Sequence, residues 1–215
     1  MRRVTAYLGV LVFLAGCSFY NARPLPRGEL SRSPFWNRDQ SVLTVVQPLD
    51  LLEDTNEYFH ADLMGEGILA FYVLIQNAGD DHIRLRRDDI RLAYHGDEPL
   101  APTSAKLVAS KVSSSKIAAL RIGIMMGLGV AFLTDYKRAN DYSRKELPPT
   151  MEIAPHERVA GVVFFQLKEP PLDATGCTLQ FRFRNLDTPE DRAINLAILD
   201  PATPQLTSTS PRPAD

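Results

Sequence analysis

The chain has 215 residues, of which 24 are basic and 26 acidic, giving a formal net charge of −2. Nothing in that near-balance suggests the strongly basic overall surface carried by nucleic-acid binders and by proteins that adsorb to anionic lipid through charge. With 45% hydrophobic residues and two cysteines, the chain is long enough for one sizeable core and has no disulfide framework.

Met1-Arg2-Arg3 gives a short positive start, followed by an apolar run from Val4 to Leu14 broken only by Thr5 and Gly9. That is the layout of an export signal. The run is too short to cross a bilayer, which takes about 20 residues. It ends in Leu14-Ala15-Gly16-Cys17, which resembles the lipobox of bacterial lipoproteins. The resemblance implies cleavage after residue 16 and lipid on Cys17, and so a membrane partner reached through that lipid. An ordinary secretory signal with a chance cysteine is the competing reading. Ser18 follows where an aspartate would resemble an inner-membrane retention signal, so the expected site is the outer membrane of a Gram-negative cell, facing the periplasm. Removing 1–16 leaves about 199 residues, with 22 basic against 26 acidic. Cys177 is then without a partner cysteine.

Residues 17–40 hold Pro24, Pro26 and Pro34 among arginines, with no apolar period, and read as a flexible lipid-anchored tether. Phe35-Trp36 is the point where that tether would first touch a domain spanning 41–199. Seven strand-like runs follow: 41–47, 68–76, 82–86, 89–94, 158–167, 177–184 and 192–199. Ile68 to Gln76 is apolar on both faces, as a central strand is. From Cys177 to Arg184 the alternation is strict, with Leu179, Phe181 and Phe183 on one face and Gln180, Arg182 and Arg184 on the other. A short helix is expected within 51–64. Residues 200–215 are rich in Pro, Thr and Ser and read as a disordered tail. The expected fold is mainly β: an immunoglobulin-like antiparallel sandwich of about seven strands. A sandwich of another topology is the alternative.

Residues 103–150 break the strand rhythm and read as a helical insertion. Ile117 to Leu133 is strongly apolar, with Gly123 and Gly127 forming a G-x-x-x-G step. Arg121 leaves twelve residues before Thr134, too few for a span. The segment reads either as a helix or helical hairpin packed on the sandwich, or as a docking surface for a membrane or another chain. In the second case the contacting residues would be Ile117, Leu120, Ile124, Met125, Leu128 and Phe132, with Gly123 and Gly127 allowing close approach.

No catalytic motif, cofactor loop or metal-ligand spacing appears. His60, His82, His95 and His156 lack any H-x-x-x-H step, and Asp80-Asp81 and Asp88-Asp89 lie among Arg84, Arg86, Arg87 and Arg91. Cys177 sits on the apolar face of its strand. Ile68-Leu69-Ala70-Phe71-Tyr72-Val73-Leu74-Ile75-Gln76-Asn77 before an Asp-rich turn, with Pro155-His156-Glu157-Arg158-Val159-Ala160-Gly161-Val162-Val163-Phe164-Phe165, resembles a group of bacterial lipoproteins of unknown function. Ala70 departs from the proline expected there. The resemblance implies a β-sandwich with a Gly-rich apolar insertion and an envelope location, and carries no catalytic residues. The expected role is a non-enzymatic envelope module that docks on a protein partner or membrane through its insertion, without nucleic acid or cofactor. A periplasmic ligand-binding or hydrolytic domain, with a site assembled from those histidines only in three dimensions, is the alternative.

Overall fold

The computed structural model describes residues 20–25, 33–94, 98–120, 128–171 and 173–199, without the side chains at 52, 115–120 and 128–134. The leader 1–16, Cys17, His95, Gly123, Ile124, Met125, Gly127 and the tail 200–215 therefore lie outside the described residues.

Two antiparallel sheets of four strands carry the chain. The first contains β1 (Phe35–Asp39), β2 (Val42–Pro48), β3 (Ile68–Asn77) and β6 (Arg158–Gln166), in the order β1-β2-β3-β6. In the second, β4 (Ile83–Tyr94), β5 (Thr150–Ile153), β7 (Cys177–Asn185) and β8 (Asp191–Ala197) stand in the order β5-β4-β7-β8. The alternation of β7 follows from this placement. Leu179, Phe181 and Phe183 meet Val46, Leu69, Phe71 and Val163 of the first sheet in the main core, while the intervening residues face outward.

The inner apolar row of β3 faces that core, and its outer row, Ile68, Ala70 and Tyr72, lies under a layer of helices. Burial on both faces is why this strand does not alternate. The helical layer consists of α1 (Leu52–Phe59), α2 (Ala105–Leu120) and α3 (Leu128–Lys145). It packs Phe59, Val108, Val112 and Tyr142 on Val45, Val162 and Phe164. None of the helices among the described residues is long and apolar enough to cross a membrane.

Several expected boundaries move. The runs at 82–86 and 89–94 are one strand, β4, with a register shift between Leu85 and Ile90. A bulge there lets Arg86 to Asp89 leave the β4–β7 pairing, though Arg86 still pairs with Thr150 of β5, while Leu85 and Ile90 both stay in the core. Two short edge strands, β1 and β5, bring the number among the described residues to eight, against about seven expected. The domain thus begins before residue 41, because Phe35 to Asp39 pairs with Val46 to Val42. Tyr20 and Leu25, within the expected tether, pack against the helical layer. Where the chain leaves α3 it crosses β6 at Gly161, and a Cβ there would stand 3.0 Å from the Leu147 backbone nitrogen.

Candidate functional site: a helical hairpin and its polar base

α2 and α3 form an antiparallel pair inserted between β4 and β5. At its base, the first turn of α2 is satisfied from two sides. Leu107 N–H donates to Ser104 Oγ at 3.4 Å and Ala105 N–H to Glu146 Oε1 at 2.8 Å. Glu146 also accepts from Arg87 of β4 at 2.6 Å, a contact largely shielded from water. One carboxylate therefore joins the start of α2, the end of α3 and the second sheet.

Along the helix contact, Ser113 donates to Asp135 at 2.6 Å, and Arg138 donates to Ser113 at 2.9 Å and to Asp135 at 3.2 Å. Arg138 is only 4% exposed. One and two turns further, α3 reaches α1. Tyr142 donates to the Phe59 carbonyl at 2.7 Å, and Lys145 to the Tyr58 carbonyl at 2.5 Å and to Asp141 at 2.7 Å. The last carbonyls of a helix have no partner within it, and α3 supplies partners to two of those of α1. His60, in the left-handed conformation with φ 52°, ends α1.

Tyr20 closes this base from the amino-terminal side. Its hydroxyl donates to Asp141, its ring lies 5.7 Å from the Arg138 guanidinium, and its edge meets His60 at 6.0 Å. Arg23 follows with a backbone N–H to the Glu57 carbonyl at 2.9 Å and a side-chain contact to Glu57 at 2.5 Å. Sequence reasoning did not find this contact. Its one signal was a tyrosine and an arginine standing close after Cys17.

Burial, and then the hydrogen bond to Asp141, holds the Tyr20 phenol above the ordinary tyrosine value; burial does the same to Tyr142. Burial lowers Lys145, partly offset by Asp141. The signs oppose each other. A raised phenol contributes stability that is present below pH about 10 and lost as the pH climbs toward its folded value. The charge on Lys145 is instead a cost that is relieved as pH rises. With two phenols against one amine, stability is expected to fall above pH 10. In an alkaline titration followed at 295 nm, part of the phenolate absorbance should appear only as helical ellipticity is lost, and Tyr142→Phe should shrink that part. Complete ionisation before unfolding would contradict this account.

Of the docking residues expected from sequence, Ile117 and Leu120 belong to α2, and Leu128 and Phe132 to α3. All four lie on the far side of Val112–Ser113 and Asp135 from the buried base. The histidines are brought to separate places. His60 stands by Tyr20, His82 contacts Asp187 at 3.2 Å, and His156 lies 3.7 Å from Asp80, the last two pairs exposed. Among the described residues no three His, Cys, Asp or Glu side chains come together as a metal site. Asp81 accepts from Asn185 at 2.8 Å. Cys177 is buried, and that burial pushes its thiol up to about 12, so it stays protonated and unreactive at neutral pH. An open cleft of about 610 Å³ lies at one end of the sandwich between Pro34, Pro48, Leu51 and Leu199, with Asp50 and Asp54 beside it.

No protein family matches the chain, and no curated protein sequence matches it. Among solved structures, it is similar to the yjhA protein from Bacillus subtilis, with 11% identity, a TM-score of 0.40, and coverage of 78% of this chain and 98% of that one. It is also similar to the ycdA protein from Bacillus subtilis, with 10% identity, a TM-score of 0.36 and 74% of this chain covered, though only 37% of that longer one. The copper-bound PCuAC domain from PmoF2 is similar at 12% identity and a TM-score of 0.31, over 77% of this chain and 98% of that one. At TM-scores below 0.5 these likenesses assign this chain no activity, metal or partner.

Proposed function

We propose that the protein is a non-enzymatic, lipid-anchored envelope module that docks the far end of its α2/α3 hairpin on the membrane that holds its own lipid. The observation that carries this reading is the packing of Tyr20 on α3. Tyr20 follows Cys17 by three residues, a reach of about 10 Å. From Arg138, beside Tyr20, α3 runs back about 9 Å to Phe132 and about 15 Å to Leu128. Lipid on Cys17 and the apolar end of the hairpin are thus within reach of one bilayer surface. Several acyl chains on Cys17 anchor firmly by themselves, and an apolar contact from the hairpin would add to that hold and set how the domain lies on the surface.

In this reading the membrane is the outer one and the sandwich faces the periplasm. The strand order also supports an immunoglobulin-like sandwich: β2, β3 and β6 stand as strands A, B and E of that fold, and β4, β7 and β8 as C, F and G.

The test uses the mature chain carrying Cys17→Ser and vesicles of phosphatidylcholine alone, which carry no net charge for the arginines of the chain to meet. The unlipidated chain should float with the vesicles, and adding Ile124→Asp and Met125→Asp should return it to the aqueous fraction with its thermal midpoint unchanged. Failure of the Cys17→Ser chain to float would overturn docking by the hairpin. Separately, labelled palmitate should be incorporated by the wild-type precursor and not by Cys17→Ser; label on the variant would overturn the anchor.

A further inference from the structure

The outward face of the second sheet carries charge that the fold does not use. Across its four strands one row reads Glu152, Arg84, Arg184, Asp191, with Arg84 directly opposite Arg184 in the β4–β7 register. Adjacent strands lie about 4.8 Å apart, and like charges facing each other there are destabilising. Two residues along the strands, Arg86 and Arg182 extend the same face.

The neighbouring arginines of β4 behave differently. Arg87 is paired with Glu146, and Arg91 donates to the carbonyls of Asp88 and Ile90. On the face itself Arg84 reaches Glu152 at 2.6 Å, but its Nε is buried without a partner. Among the described residues Arg86, Arg182 and Arg184 have no ion-pair or hydrogen-bond partner. Together they line a groove of about 480 Å³, in which the carboxylates are Asp89 and Asp191. The chain as a whole is slightly acidic, at −2, so this concentration of cations is local.

We infer that this face is a binding site for a phosphate-bearing ligand, taken between Arg84, Arg86, Arg182 and Arg184. Guanidinium forks match phosphate oxygens two at a time, which a field of lysines would not. A bound phosphate would also neutralise the repulsion between Arg84 and Arg184, coupling ligand to the part of the sheet that most needs it. The site is on the opposite side of the sandwich from the helical layer and is independent of the hairpin. Its phosphate could belong to a soluble molecule or to a lipid headgroup, and the experiment separates these.

Calorimetric titration of the unlipidated chain (Cys17→Ser) with inorganic pyrophosphate is the soluble arm; flotation with phosphatidylglycerol vesicles, using a chain that also carries Ile124→Asp and Met125→Asp, is the lipid arm. Binding is expected in at least one arm, weakened about tenfold or more by Arg182→Gln with Arg184→Gln, and unchanged by Arg144→Gln on α3. Because the double substitution removes a like-charge pair, its thermal midpoint should be unchanged or higher. Absence of binding in both arms, an equal loss in Arg144→Gln, or a lowered midpoint in the double variant would each overturn the inference.

Discussion

Tyr142→Ala is expected to destabilise the protein by about 4–8 kcal/mol, a large part of the 5–15 kcal/mol available to a domain of this kind. Tyr142 is fully buried. Its ring meets Phe59 edge-on at 5.0 Å and stacks on Phe164 at 6.3 Å, so it joins α3 to α1 and to the outer face of β6 at once. Truncation leaves a cavity that three elements line, worth about 3–5 kcal/mol for an aromatic side chain. It also leaves the Phe59 carbonyl without its donor, for about 1–3 kcal/mol more. Tyr142→Phe keeps the ring and should cost only that second part. Urea unfolding of the two variants, followed by circular dichroism, measures both. A loss below about 2 kcal/mol for Tyr142→Ala would mean that the helical layer is held elsewhere.

Nothing in the sequence announces Tyr142, and the reason is physical. Asp135, Arg138, Tyr142 and Lys145 recur at steps of three, four and three, so they share one face of α3. A stripe containing three charged residues reads as solvated. Arg138, Tyr142 and Lys145 are buried because their partners are the Ser113 hydroxyl, the last carbonyls of α1 and Tyr20, all distant in sequence. The strands were easier. β7 shows its period of two in nine residues, and β3 shows its double burial in ten, because every second side chain meets the core in both. β5 has four residues behind Pro148-Pro149, and β1 has five with Arg38 and Asp39 among them, too few for a period to emerge. The arginine face lay between these extremes. Its members stand on the outward positions of two alternating runs, but that β4 pairs with β7, setting Arg84 against Arg184, is a fact of topology.

Asn77→Ala should cost about 2–4 kcal/mol, and Asn77→Asp more than that at neutral pH. Asn77 ends β3 with 1% exposure. Its side-chain amide is within donating distance of the carbonyls of Asp81 at 2.7 Å, Ala154 at 3.1 Å and Ile153 at 3.2 Å, while its Oδ1 accepts from Gly79 N–H at 3.1 Å. An amide has two hydrogens, so three carbonyls share them. Asn185, at the end of β7, repeats the device: it donates to the Asp81 carboxylate at 2.8 Å and accepts from Asp187 and Thr188 N–H at 2.9 and 3.0 Å. The turn at 78–82 is thus held between the ends of strands from both sheets. Alanine at 77 leaves the buried Ile153 carbonyl and the part-buried carbonyls of Asp81 and Ala154 without this donor. A carboxylate there faces the same oxygens with a negative charge and no donor, so its folded pKa must lie above the unfolded value. A raised acid retains its proton in the folded state, and stability is therefore lost as pH rises through the carboxylate range. The gap between Asn77→Asp and Asn77→Ala should accordingly be wide at pH 7 and narrow at pH 4, read as urea midpoints. An equal gap at both would show that the introduced group escapes to solvent, and that the amide is not what holds the two sheets at this turn.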